Sequence, residues 1–266
     1  MPRTAFAGGE LNYTETGSGR PLLLVHGSPG EARAWNRVLA KIGEGFRILV
    51  PDLPGYGASS ALPPDRNGTS AMAEAVTALV EAVNEPLILA GHSYGGNVSL
   101  HIAAKQPRRL AGLAVFEPVF FRALELQGER AVLESANRFF ADYVTRVSAG
   151  EPDAIGQMID FWSGPGAFER LPEPVRAYLR SAAPRNARDV ASSFSETLAA
   201  GDLGAIGCPV SLAYGSKSPP VAPAIIAALS RLLPDTRATV IEAADHGMLD
   251  SHPQAVADII RAIAST

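Results

Sequence analysis

The chain has 266 residues, of which 47% are hydrophobic and 19% charged, with a single cysteine, Cys208. Such a length and apolar content build a sizeable core without disulfides or metals, and exclude a disordered or low-complexity chain. The 23 basic and 27 acidic residues leave a net charge of −4. No basic run tracks a phosphate backbone and no apolar run approaches the roughly 20 residues of a membrane span, so neither nucleic acid nor membrane is an expected partner.

The first residues, MPRTAFAGGELNYTETGSG, lack a charged head followed by an apolar run. No signal peptide is expected, and the expected location is cytoplasmic. Residues 4–15 carry Gly8-Gly9 between two short extended runs and read as an antiparallel hairpin. Continuous apolar runs then follow at 21–27 (PLLLVHG), 46–53 (FRILVPDL), 86–93 (PLILAGHS) and 110–118 (LAGLAVFEP). Unbroken apolar runs of this length suit strands buried on both faces. Helical patterns separate them at 32–42, 70–83 and 95–106; in the second, Met72, Val76, Leu79, Val80 and Val83 fall on one helical face. Strands alternating with helices predict an α/β fold, a mostly parallel sheet with helices on both faces.

From 119 to 205 the strand pattern stops. The segment reads as helices at 123–147, 152–162, 174–180 and 187–200, broken by Gly and Pro. It holds ten of the 18 aromatics, more than its share, which makes it an insertion with an apolar face of its own. Strand and helix return at 209–215, 221–233, 237–243 and 253–264. The expected organisation is a core of 1–118 and 206–266 interrupted by a helical insertion, 119–205.

Gly91-His92-Ser93-Tyr94-Gly95 matches G-x-S-x-G where a predicted strand meets a predicted helix. That setting holds a serine in a tight turn above the sheet, at a helix N-terminus that favours negative charge. His26-Gly27-Ser28-Pro29-Gly30 follows the first buried run; its Ser28 N–H and the Tyr94 N–H are candidate oxyanion donors, since Pro29 has none to give. His26 reads as a loop-ordering residue. His246, after the last predicted strand, is the candidate base; His92 lies inside the serine motif, His101 is mid-helix, and His252 begins the last helix. No zinc or nucleotide motif occurs, so neither metal nor cofactor is expected. Asp52 reads as structural.

LLLVHGSPG, VPDLPGYGAS, LILAGHSYGG and the late His246 together resemble the α/β-hydrolase superfamily across nearly the whole chain outside the insertion. The resemblance implies the order nucleophile, acid, histidine, with a helical cap after the sixth strand, where 119–205 lies. One position departs. Many relatives carry an aspartate in the turn after strand seven, and Ser218 stands there in Gly215-Ser216-Lys217-Ser218. Relatives such as haloalkane dehalogenases place the acid after strand six, which here is Glu117. The expectation is a cofactor-independent serine hydrolase, carboxylesterase-like, acting on a small apolar ester, lactone or thioester. Ser93 is its nucleophile, His246 its base and Glu117 its acid. Phe121, Phe139, Phe161 and Trp162 are the candidate substrate-binding aromatics. Two alternatives stay open: a C–C bond hydrolase of diketone-like substrates, which a cap arginine (Arg122, Arg130, Arg138, Arg146 or Arg176) would favour, and a low-turnover ligand receptor. Lyase- or peroxidase-like chemistry without a cofactor is not separable from these by sequence, nor is the oligomeric state.

Overall fold

A computed structural model describes residues 2–265; Met1 and Thr266, the outer ends of the expected core, lie outside them. Strands β1 (Arg3–Phe6) and β2 (Gly9–Gly17) form the opening antiparallel hairpin. Then come β3 (Arg20–Val25), a 3-10 turn (Ala32–Trp35) running into α1 (Asn36–Ile42), β4 (Phe46–Pro51), α2 (Gly68–Ala82), β5 (Leu87–His92), α3 (Tyr94–Lys105) and β6 (Leu110–Phe116). After the insertion follow β7 (Val210–Gly215), α9 (Val221–Leu232), β8 (Thr236–Ile241), a short α10 (Met248–Ser251) and α11 (Pro253–Ala264). The strands make one sheet in the order β1-β2-β4-β3-β5-β6-β7-β8, parallel from β4 to β8, with β2 antiparallel to β4.

The apolar runs are continuous because the sheet is covered on both faces, and the two-residue period of a strand sorts their side chains. Leu23 and Val25 of β3, Leu89 of β5 and Leu113 and Val115 of β6 enter one core with α2, α3 and α9. Leu22, Leu24, Ile88, Ala90, Ala114 and Phe116 enter the other, with α1 and α11.

Between β6 and β7 lie five helices: α4 (Arg122–Leu126), α5 (Arg130–Ser148), α6 (Ala154–Ser163), α7 (Glu173–Ser193) and α8 (Ala200–Gly204). Two expectations need correction here. The single helix expected at 123–147 is two, separated at Gly128, whose φ of 73° a helix does not accept. Conversely, the two helices expected at 174–180 and 187–200 are one, α7, which carries Pro184 in its interior. A proline there removes one N–H and crowds the carbonyl four residues back, a cost of about 3 kcal/mol that neighbouring packing has to offset. α7 supplies that packing: it lies against α5 and α6 and reaches α2 and α3.

The chain leaves β3 toward β4 on one side and later enters β5 on the other. The strand order therefore reverses at β3, and the loops following β3 and β5 diverge around a crevice at the carboxyl ends of the strands, where open α/β sheets place ligands.

Candidate active site

Ser93 follows β5 as the residue preceding α3, with φ 55° and ψ −124°. This left-handed, sparsely populated conformation is costly for a residue with a side chain. Two close approaches make the turn possible. A Cβ on Gly91 would lie 2.3 Å from the Gly95 carbonyl oxygen, and one on Gly95 would lie 2.4 Å from the carbonyl oxygens of Val25 and His26. Glycine at both positions lets α3 start directly above the sheet. The Ser93 N–H donates to the Phe116 carbonyl at 2.9 Å, fixing the turn to β6.

Glu117 directly follows Phe116 and is also left-handed, φ 42°. Its N–H donates to Ala213 of β7 at 2.9 Å. Its carboxylate is 1% exposed and accepts three hydrogen bonds: from His246 Nδ1 to Oε2 at 2.6 Å, from the Gly215 N–H to Oε1 at 2.7 Å, and from the Ser218 hydroxyl to Oε1. Burial pushes this carboxyl up, but His246, Ser218 and the Gly215 N–H outweigh it and hold it below the ordinary value. Ser218 stands at the position where many relatives carry the acid, and it donates to the carboxylate that arrives from the neighbouring strand end.

His246 lies in the loop after β8. Its Nε2 is 2.9 Å from Ser93 Oγ. With Nδ1–H given to Glu117, Nε2 keeps a lone pair for the serine proton. His92 Nε2 donates to the His246 carbonyl at 2.9 Å, a further tie on the loop. Burial and the neighbouring His246 lower the His92 pKa to about 3, so that ring is neutral. Trp162 of α6 stacks on the His246 ring with centroids 4.3 Å apart and planes 23° from parallel.

The other sequence-flagged residues fall as follows. Ser28 and Tyr94 both line the cavity above Ser93, and no hydrogen bond from either backbone N–H is found among the described residues. Tyr94 opens α3, where the first N–H groups have no partner within the helix. His26 accepts the Leu53 N–H on Nε2 at 2.9 Å and donates from Nδ1 to Gly27 at 2.7 Å, tying two loops together; burial lowers its pKa to about 4. Asp52 accepts the Ala32 and Ala58 N–H groups. Asp245, the neighbour of His246, accepts the Gly247 N–H at 2.8 Å. His101 is buried and hydrogen-bonded to Glu196.

The cavity has a volume of about 290 Å³, at the small end for ligand pockets. Phe121 and Trp162 line it. Phe139 and Phe161 do not, and this corrects their selection as substrate-binding candidates. They stack on one another, centroids 4.4 Å apart, behind Phe140. Phe140 lines the cavity instead, with Met158 and Ile159. On α5 the buried residues are Ala136, Phe140 and Tyr143, one face at helical spacing, which turns Phe139 aside. Asn186 and Asp189 of α7 also line the cavity, and nothing in the sequence reading singled them out. Among the described residues, no group of three His, Cys, Asp or Glu side chains is placed to hold a metal ion, and no helix is long and apolar enough to cross a membrane.

Comparison with known proteins identifies the family. The Alpha/beta hydrolase family profile matches residues 22–259. The 30 kDa magnesium-chelatase subunit of Rhodobacter capsulatus is 31% identical over 153 residues, 55% of this chain and 52% of its own. Lipase LipV of Mycobacterium tuberculosis is 32% identical over 151 residues, 56% of this chain and 54% of its own. The matched part thus spans about half the length of these curated relatives. A solved thermophilic esterase from Thermogutta terrifontis superposes with a TM-score of 0.78 at 27% identity, covering 100% of this chain and 98% of that one. The family match over most of the chain, on an eight-stranded sheet of this order, makes the protein a member of the α/β-hydrolase family.

Proposed function

We propose that the protein is a cofactor-independent serine hydrolase that cleaves a small, largely apolar carboxylic ester, lactone or thioester through an acyl-enzyme. The observation that carries this reading is the continuous chain Ser93 Oγ–His246 Nε2 at 2.9 Å and His246 Nδ1–Glu117 Oε2 at 2.6 Å, opening into an apolar cavity. Ser93 Oγ attacks the carbonyl carbon while His246 Nε2 takes its proton. Glu117 holds the ring in the required tautomer and stabilises the imidazolium that forms. The carbonyl oxygen gains its negative charge beside the Ser28 and Tyr94 N–H groups and the N-terminus of α3. His246 then protonates the leaving alcohol or thiol, and water, activated by the same histidine, releases the acid. The helices α4–α8 act as a cap over the site.

The similar thermophilic esterase and lipase support an ester substrate. The C–C hydrolase reading wanted a cap arginine facing the site. None of Arg122, Arg130, Arg138, Arg146 and Arg176 lines the cavity, and Arg122, Arg146 and Arg176 pair with Glu125, Glu151 and Glu169. The test is turnover of short-chain esters, thioesters and lactones by the wild type and Ser93→Ala. The wild type should hydrolyse at least one class, and the variant should lose on the order of 10⁴–10⁶ in kcat. Equal turnover by both proteins would rule the mechanism out.

A further inference from the structure

The cavity is apolar on most of its wall, but one corner is built from Ser28, Asn186 and Asp189. These residues belong to a chain of side-chain hydrogen bonds. The Tyr143 hydroxyl donates to Asn186 Oδ1 at 2.6 Å, and Asn186 Nδ2 donates to Ser28 Oγ at 3.0 Å. Ser28 Oγ lies 2.7 Å from the Tyr56 hydroxyl, which donates to Asp189 Oδ2 at 2.6 Å. The direction of the chain follows from proton counting. Tyr56 has one proton and gives it to Asp189, so Ser28 must be the donor in the Ser28–Tyr56 bond. Every hydroxyl proton in the chain is committed, and all of them point towards the aspartate.

Asp189 is 4% exposed and forms no ion pair among the described residues. The Arg185 guanidinium lies over the Tyr56 ring at 4.8 Å. Burial raises the Asp189 carboxyl to about 6, against the Tyr56 and Ser28 hydroxyls and the positive charges of Arg188 and Arg185 that lower it, so it is largely ionised at neutral pH. A buried carboxylate in no direct ion pair is expensive, and an apolar residue of the same shape would pack here at less cost. The corner can accept hydrogen bonds and positive charge, and it repels anions.

We propose that Asp189 is a specificity-determining residue, and that the substrate is an ester carrying a hydrogen-bond donor, a hydroxyl or an amine, on the arm that reaches this corner while its carbonyl sits at Ser93. Docking that donor gives the carboxylate a partner beyond the Tyr56 hydroxyl. Leaving the corner empty, as a purely alkyl ester does, keeps the buried charge short of donors. A site built to bond a hydroxyl discriminates strongly against the analogue lacking one. The inference rests on the ester-hydrolase reading above.

The experiment compares esters of equal length that differ only at one end. On the alcohol arm the pair is hydroxypropyl butanoate and butyl butanoate. On the acyl arm it is methyl hydroxyhexanoate and methyl heptanoate, with a carboxylate-ended ester as the repelled case. For the wild type, at least one hydroxyl-ended ester should exceed its methyl twin in kcat/KM by about tenfold or more, and the carboxylate-ended ester should be the poorest. In Asp189→Leu the ratio within that pair should fall to near one. The wild-type ranking stands by itself should the variant not fold. Hydrolysis of the methyl-ended twins at rates equal to or above the hydroxyl-ended ones would overturn the proposal and leave the hydrolase reading standing. Failure to hydrolyse any ester, with Ser93 unreactive to an organophosphonate, would overturn both.

Discussion

Glu117 carries the heaviest demands of any single residue. It sits in a left-handed conformation, is fully buried, and has to remain charged. Glu117→Gln keeps the shape but not the charge, so kcat should fall by about 10²–10⁴ with KM little changed. Ser218→Ala removes one of its three donors. A hydrogen bond to a charged group contributes about 1.5–3 kcal/mol, and the loss should show in urea unfolding at neutral pH. The sign follows from the depressed carboxyl. Its stabilisation is present above the unfolded glutamate pKa and is lost as pH falls through the lower folded value, so the difference between variant and wild type should shrink in acid. The position of Ser93 and Glu117 at strand ends was legible in the sequence, because a continuous apolar strand stops where its first polar residue meets solvent or a site, and His246 was legible as the histidine that follows the last strand. Asp189 was not legible. It lies in RNARDV, which reads as a solvated helical face, and only the packing of α7 over the sheet buries it.

The helical insertion shows where local reading loses its grip on an element. Runs such as LLLV and LILA identify strands by themselves, since few alternatives bury both faces. In the insertion the aromatics are adjacent in pairs, Phe120-Phe121, Phe139-Phe140 and Phe161-Trp162, and two residues of one pair point about 100° apart on a helix. Their composition announced a packed layer; which member of each pair meets the cavity depends on a phase that only neighbouring helices set. Glu196 is a similar case. Beyond the end of α7, it is buried and collects Thr69 Oγ1 at 2.7 Å, Asn97 Nδ2 at 3.3 Å and His101. It thereby pins the insertion to α2 and α3. Pro184 ended the predicted helix by rule, yet α7 runs through it, with the ring exposed. Pro184→Ala restores an N–H for the Arg180 carbonyl and loses no packing. It should raise stability by roughly 1–2 kcal/mol, read from the urea midpoint. A lower midpoint would show that α7 is shaped around the proline.

Across the whole molecule, buried titratable groups of opposite sign set the response to acid. His26 and His92 are held neutral, with pKa values lowered to about 4 and about 3. The unfolded chain binds their protons from pH 6.5 downward while the folded protein does not, so stability is lost as pH falls; for His26 this amounts to roughly 3 kcal/mol. Asp189 works the other way. Its raised pKa, about 6, means that the unfolded chain releases the proton first, so stability is lost as pH rises from about 4 to 6, by a similar amount. Between pH 6.5 and 4 His26 and Asp189 nearly cancel, and His92 remains, so the wild type should lose roughly 3 kcal/mol over that range. Asp189→Asn should decline more steeply, and its stability relative to wild type should be greater at pH 7.5 than at pH 4 by on the order of 3 kcal/mol. These groups, like the strained Ser93 and Glu117, are gathered around one crevice at the carboxyl edge of the sheet, and the proposed chemistry belongs to that crevice. The most direct measurement of it is the site of covalent labelling by a serine-directed organophosphonate, mapped by peptide mass spectrometry on the intact protein. The account predicts one adduct, on Ser93, with labelling slowed in Glu117→Gln and abolished in Ser93→Ala. An adduct on another serine, or an unreactive Ser93 in the folded wild type, would contradict it.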